Sequence, residues 1–476
     1  MMKLETLRFQ NPHWDRVENF FRDPSLQRLE KAPKILLHPI KNRIILESDR
    51  IFVMKGPRQI GKTTLVKLLM KEMLQQGKPP GSLLYLAVDI AGLKSEHELF
   101  TALVTYKEFA DTRGPGTRFI FLDEVTAAAD WQTAIKKAYD SGILSNSFVL
   151  ATGSSALDLK RGGERLPGRR GQHPQENDLE MLPLLFRHYL ENLFPQVKLP
   201  EAWDPAHMSF ENLYQKAQQL SYFDSEIKKA FDGYLLTGGL PLSTNEYLRQ
   251  EGDAISPEPY YTYLQAILGD VMKIGKSERY FREIITAVIS KQFEPLDAHL
   301  ITQMTGVGSH NTITEYLDCL DGFYLLHSLN QPKTLGAALP AFKKRKKIYF
   351  RDPFFYHVLH AWINAIPDPF PLSFQKLQDP VFKSKLVENT VGAHLMTVDG
   401  TLFFWRNNYE IDFILVPPQH KSLYFEVKYQ TVSTSDDYKG LKKAGGGILL
   451  TRDSLAQRQD NLMDIPVHLF LALIKQ

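Results

Sequence analysis

Thiol chemistry is nearly missing from this 476-residue chain: the single cysteine, Cys319, excludes an internal disulfide framework and any cysteine-based zinc cluster. Long apolar runs are missing as well. No stretch approaches the roughly 18 residues that span a bilayer, and the opening MMKLETLRFQNPHW lacks the apolar core of a secretory signal. Cytoplasmic residence with no membrane contact is the default expectation. A strong charge of one sign is also absent, because the formal net charge is only +3, so bulk charge does not announce a nucleic-acid partner. Basic residues gather only locally, in KKRKK at 343–347 and in RGGERLPGRRG at 161–171. Such clusters are ordinarily solvated loops, and the first gains interest from the DNA-binding pattern beside it. Internal repeats and long low-complexity tracts are not apparent, and the length predicts two to four domains.

What is present is a phosphate-binding signature. Residues 56–63 read GPRQIGKT, which fits G-x-x-x-x-G-K-[ST] at every fixed position and follows the apolar run IFVM. The glycines Gly56 and Gly61 let the loop Pro57, Arg58, Gln59, Ile60 wrap around phosphates, with the backbone N–H groups of all but Pro57 turned inward. Lys62 reaches the β and γ oxygens, and the Thr63 hydroxyl suits Mg²⁺. The following TTLVKLLMKEML, starting at Thr63 and Thr64, is apolar at helical spacing and predicts a helix whose N-terminus also favours phosphate. ATP and Mg²⁺ are therefore the expected cofactors.

A second strand, RFIFLDEV at 118–125, ends in two carboxylates. There Asp123 is placed to orient Mg²⁺ and Glu124 to activate water. A third strand, SFVLATGSS at 147–155, brings Thr152 or Ser154 out beside the γ-phosphate as a sensor, although small polar residues also commonly follow strands. Aromatic and basic residues around NPHWDRVENFF precede the first strand, with covering of the nucleotide base as their expected place. Alternation of strands and helices predicts a parallel sheet wrapped by helices. The Gly, Pro and Arg-rich stretch 160–178 reads as a loop whose arginines can reach a γ-phosphate.

Further along, HLITQMTGVGSHNTITEYLDCLDGFYLLHSLN reads as a helix, a tight glycine-containing turn, a second helix capped by Ser309, then a strand, the layout of a winged helix-turn-helix. Glu315, Asp318 and Asp321 on the second helix repel phosphate, so a purely structural packing role is an equal reading. A proline-marked boundary, AIPDPFPLSFQKLQDP, leads to the last domain. There Glu388 lies on an apparent helix, Asp412 on the strand EIDFILV, and Glu426 with Lys428 on LYFEVKYQ. Residues two apart on a strand share a face, and the turn at PPQHKS makes the two strands antiparallel neighbours. Glu388, Asp412 and Glu426 are thus candidate Mg²⁺ ligands, with Lys428 placed to position water or stabilise a pentacovalent phosphate. Routine charges on two amphipathic strands are the plain alternative.

In order, GPRQIGKTTL, FIFLDEV, ATGSSALDL, ERLPGR with MLPLLFRHYL, GYLLTGGLPL, KIYFRDPFF, and FFWRNNYEIDFIL with FEVK resemble prokaryotic AAA-type ATPases whose C-terminal half is a domain of unknown function related to the PD-(D/E)xK nuclease fold. The resemblance implies an α/β protein: a P-loop parallel-sheet ATPase core over 1–200, a helical lid or connector over 201–265, a winged-helix segment over 266–352, and a restriction-endonuclease-like α/β domain over 353–476. It assigns Lys62 and Thr63 to phosphate and Mg²⁺, Asp123 and Glu124 to metal and water, and Asp412, Glu426 and Lys428 to the nuclease-like site. It also makes Arg169 a charge-stabilising catalytic candidate, although the inserted RRGQHPQEND leaves open which of Arg165, Arg169 or Arg170 serves. The expected function is a Mg²⁺-dependent ATPase that couples turnover to DNA engagement, with cleavage by the terminal domain left open. The alternative is a nucleotide-regulated switch that binds nucleic acid or a protein partner without cutting, and a homo-oligomer is a further expected partner state.

Overall fold

The computed structural model describes residues 4–154, 177–205, 207–291 and 293–475. Its chain divides into two compact units, Met1–Leu182 with Gly322–Tyr324, and Pro183–Asp321 with Leu325–Gln476.

In the first unit five strands, β1 (Arg50–Lys55), β2 (Leu83–Ala87), β3 (Arg118–Asp123), β4 (Ser147–Gly153) and β5 (Asp178–Glu180), form one sheet in the order β2-β3-β4-β1-β5. Every pairing is parallel. The first four strands are apolar on both faces, as a sheet covered by helices on both sides requires, and Ile51, Leu86, Leu122 and Val149 pack into a core with the helices Glu96–Asp111 and Trp131–Asp140. The chain thus belongs to the α/β class that its strand and helix alternation predicts.

The N-terminal aromatic segment packs along the edge of this sheet. Asn11 bonds both the carbonyl and the N–H of Tyr85, at 2.8 and 2.7 Å, and Gln10 does the same at Ala87. Trp14 donates to the carbonyl of Leu83 at 2.8 Å and stacks on Phe109. Side-chain amides therefore finish the open edge of β2, where a bare strand edge would expose pairing groups. Covering the edge is the role the structure shows for Gln10, Asn11 and Trp14.

The second unit is helical up to a two-stranded antiparallel ribbon, β6 (Leu326–Leu329) with β7 (Lys347–Phe350), and ends in a six-stranded mixed sheet. That sheet is built from β8 (Thr401–Arg406), β9 (Glu410–Val416), β10 (Leu423–Lys428), β11 (Gly447–Thr451), β12 (Ala456–Arg458) and β13 (Leu462–Pro466) in the order β12-β13-β11-β10-β9-β8. β8, β9 and β10 form an antiparallel meander, and β11 returns parallel to β10 after the short helix Lys439–Lys443. Pro369 and Pro380, in the stretch that reads as a boundary, each occupy the first position of a helix, where a missing N–H costs nothing.

Two sequence stretches of the resemblance meet inside this unit. Gly238 ends the helix Asp224–Thr237 at φ 60° and ψ −163°, and Asp352 caps the helix Pro353–Ile363. The Asp352 carboxylate accepts from the N–H groups of Phe354 and Gly239, both at 2.8 Å. Burial nevertheless pushes its carboxyl from the ordinary 3.8 up to about 7. A folded-state value above the unfolded one makes this contribution complete below about 4 and removes it as pH rises through about 7. In urea titrations the stability gap between the parent and Asp352→Asn is expected to move in favour of the variant over that window. A gap independent of pH would show that the carboxyl titrates alike in both states.

Candidate nucleotide site and terminal carboxylate cluster

The loop 56–61 links β1 to the helix Lys62–Gln75, at the carboxyl edge of the parallel sheet where strand order reverses. Two glycines have physical reasons. A Cβ on Gly56 would lie 2.1 Å from the carbonyl oxygen of Met181, and Gly61 sits at φ 104°, a left-handed value that disfavours other residues. Lys62 is buried, and its ammonium donates to the carbonyls of Gly56 and Pro57 at 2.9 and 2.8 Å, so the loop is closed over its own lysine. Pro57, Arg58, Gln59 and Ile60 lie in this loop, with Gln59 at φ 62°, and Thr63 and Thr64 in the first helical turn.

Sheet order brings the remaining groups together. β4 lies between β1 and β3, with Thr152 opposite Met54 on one side and Ala151 opposite Leu122 on the other. Thr152 therefore stands midway between the loop and Asp123. The Asp123 carboxylate accepts from three hydroxyls: Thr63 at 2.6 Å, Tyr85 at 2.9 Å, and Thr152. Ser154 donates to Glu124 at 3.2 Å, and the Glu124 N–H donates to Thr152 at 3.3 Å. Glu124 itself is at φ 50°, a turn conformation that swings it off the end of β3. Thr152 and Ser154 thus act on the two carboxylates, one each.

Tyr85 is the group sequence reading missed. It lies on β2, and its hydroxyl pKa is raised by burial and by the Asp123 charge, so it stays a donor across the working pH range. Its signal in the sequence was a lone polar ring in SLLYLAVDI, which reads as core. Thr63 and Asp123 lie side by side with oxygen donors of the kind Mg²⁺ takes, so the residues fit that ion. Arg165, Arg169 and Arg170 lie outside the described residues.

At the terminal sheet, β9 and β10 pair antiparallel and bring Asp412 beside Glu426, whose Oε2 accepts the Asp412 N–H at 3.2 Å. Lys428 donates to Glu426 Oε1 at 2.8 Å, and the Val427 N–H donates to Asp412 Oδ2 at 3.0 Å. Glu388, on the helix Pro380–Leu395, joins through a group outside the expected set. Lys347, the last member of KKRKK, is buried, with its Nζ 2.8 Å from Glu388 Oε1, 2.9 Å from Asp412 Oδ1 and 3.0 Å from Glu410 Oε1. Tyr349 adds a 2.6 Å hydrogen bond to the same Glu388 oxygen.

Burial and the Asp412 charge push Glu426 up to about 8 and raise Glu388 as well. For Asp412, burial acts upward, but the Lys347 and Lys428 ammonium groups hold it below the ordinary value. No group of three or more His, Cys, Asp or Glu side chains is arranged to hold a metal among the described residues. The rest of the basic run is not simply solvated either, since Arg345 pairs with Asp297 at 3.1 Å and Lys344 lies over the Trp405 ring. Within the same unit, the helix His310–Gly322 has two of its carboxylates answered, Glu315 by Lys276 and Asp321 by Arg351.

Three segments match known families: residues 48–190 an AAA domain, 228–365 a domain of unknown function (DUF8612), and 383–470 another (DUF4143). A comparison with curated proteins finds no match to the chain. Among solved structures, the Aeropyrum pernix Orc1 protein in complex with DNA is similar at 13% identity and a TM-score of 0.33, over 73% of this chain and 93% of that one. A Thermotoga maritima RuvB mutant is similar at 14% identity and a TM-score of 0.25, over 64% of this chain and 89% of that one. At these values the likeness carries no argument about what this chain binds.

Proposed function

We propose that the chain is a Mg²⁺-dependent ATPase whose second unit engages DNA, with the AAA-domain match over residues 48–190 as the premise. The observation that carries the reading is the convergence of Lys62, Thr63, Asp123, Glu124 and Thr152 at one sheet edge. In hydrolysis the water oxygen attacks the γ-phosphorus, the bond to the β,γ-bridging oxygen breaks, and ADP leaves. Glu124, oriented by Ser154, accepts the water proton. Lys62 exchanges its loop carbonyls for phosphate oxygens, and the neighbouring N–H groups neutralise charge as it develops. Thr63 and Asp123 would hold Mg²⁺, which supplies further charge neutralisation. Arg169 remains our choice for a stabilising arginine.

DNA engagement is supported by the helices Ala298–Met304 and His310–Gly322, followed by the β6–β7 ribbon with exposed Lys343, Lys344 and Arg345 in its connection. We read this arrangement as a winged helix, and the 353–476 region as nuclease-like because a helix, an antiparallel meander and a parallel return strand carry Glu388, Asp412, Glu426 and Lys428. Lys347 among these carboxylates favours the second reading, engagement without cutting.

The test is steady-state phosphate release with and without DNA, beside retention of DNA in a gel at two salt concentrations. Glu124→Gln is expected to keep ATP affinity and lose at least about 100-fold in turnover, the low end of general-base contributions. Equal turnover in parent and variant would remove Glu124 from the reaction.

A further inference from the structure

A divalent ion at the terminal cluster is implied by its likeness to an ExK nuclease site, and the oxygens there do not fit one. Mg²⁺ needs near-octahedral oxygen ligands at about 2.0–2.1 Å and keeps several waters. Here the oxygens converge on an ammonium. Lys347 Nζ lies at 2.8, 2.9 and 3.0 Å from carboxylates of Glu388, Asp412 and Glu410. The other Asp412 oxygen and both Glu426 oxygens are also engaged. Asp412 Oδ2 accepts the Val427 N–H, Glu426 Oε1 accepts Lys428, and Glu426 Oε2 accepts the Asp412 N–H.

We propose that Lys347 is the resident cation of this cluster, standing where a divalent metal stands in a cutting enzyme, so that the second unit leaves phosphodiester bonds intact. This rests on reading the unit as nuclease-like. An ammonium has the charge to offset one carboxylate and three donors to meet three of them, which matches the three contacts observed. It cannot act as a Lewis acid or lower the pKa of a bound water, the two things the hydrolysis needs from a metal. Lys347 also opens β7, so its ion pairs tie the ribbon to the helix Pro380–Leu395 and to β9, 41 and 65 residues away in sequence. The cluster is then an internal joint between the ribbon, with its exposed basic connection, and the mixed sheet.

The experiment measures Mn²⁺ binding by electron paramagnetic resonance, without nucleotide and in an Asp123→Asn background that removes the P-loop metal position. With Lys347 present no site dependent on Asp412 is expected. Lys347→Ala leaves the carboxylates around an ammonium-sized gap and is expected to gain at least about tenfold in Mn²⁺ affinity, a gain of about 1.4 kcal/mol. That gain is expected to vanish when Asp412→Asn is added. Lys347→Met, which keeps the stem and removes the charge, serves if Lys347→Ala does not fold. Plasmid incubated with the parent in Mg²⁺ or Mn²⁺ is expected to stay uncut. Either a Mn²⁺ site in the Lys347 protein that is lost in Asp412→Asn, or plasmid cutting lost in Asp412→Asn, overturns the proposal. ATP turnover and DNA retention, measured on proteins that keep Asp123, test the functional reading separately, since their absence leaves the Mn²⁺ result unaffected.

Discussion

Lys62→Ala is expected to lower ATP turnover by at least about 100-fold, comparable to losing one preorganised charge-stabilising donor elsewhere. The argument rests on what the ammonium can reach. Lys62 is buried in the loop and donates to Gly56 and Pro57 carbonyls, so exchanging these partners for phosphate oxygens takes little movement of its stem. Alanine removes the charge that meets the γ-phosphate as it separates, and it leaves the two carbonyls without that donor. Both turnover and nucleotide affinity should therefore fall, whereas Glu124→Gln should affect turnover alone. Phosphate release and binding of a fluorescent ATP analogue, with circular dichroism as a check on folding, distinguish the two variants. Undiminished phosphate release by Lys62→Ala would place hydrolysis at another site.

The largest effect on stability is expected at Gly238. Its backbone, φ 60° and ψ −163°, falls in a region essentially restricted to glycine, and an added Cβ would lie 1.8 Å from Asp352 Oδ1. Relief would require moving Asp352, which caps the helix Pro353–Ile363 and also receives the Gly239 N–H. Strain and loss of the cap therefore act together. Gly238→Ala should cost about 3 kcal/mol or more of the second unit's stability. Gly308→Ala makes an internal comparison, because a Cβ there meets nothing within 4 Å, and its cost should stay within about 0.5 kcal/mol. Urea unfolding of both variants, followed by tyrosine and tryptophan fluorescence, gives the two numbers. Similar losses at the two glycines would contradict the steric account.

The Gly308 comparison also shows where sequence reading reaches its limit. A glycine between two helices suggests a turn that needs unusual backbone, yet Gly308 is not in the left-handed region, and the neighbouring Gly306 is fixed by its N–H bond to Glu283 at 2.6 Å. The prolines at 369 and 380 read only as marks of a boundary; the helices that follow show that each also occupies a first helical position.

The sequence by itself determined whatever is written in consecutive residues. The phosphate loop, the strand before it, the helix after it, and the carboxylates at the end of β3 each depend on neighbours within a few positions, so periodicity and spacing suffice to find them. Alternation in β10 likewise placed Glu426 and Lys428 on one face, where they are in contact. Only the tertiary structure decided the contacts made across tens of residues. Tyr85 meets Asp123 because β2 pairs with β3 in a register that puts Ala87 opposite Asp123, and no local pattern encodes that register. Gln10 and Asn11 complete a sheet edge more than 70 residues away. Lys347 is the clearest case. In sequence it is the fifth cation of a basic run and reads as solvated; in the fold β7 carries it out of water into the reach of three carboxylates, and burial with charge pairing, which no composition displays, makes it an internal ion.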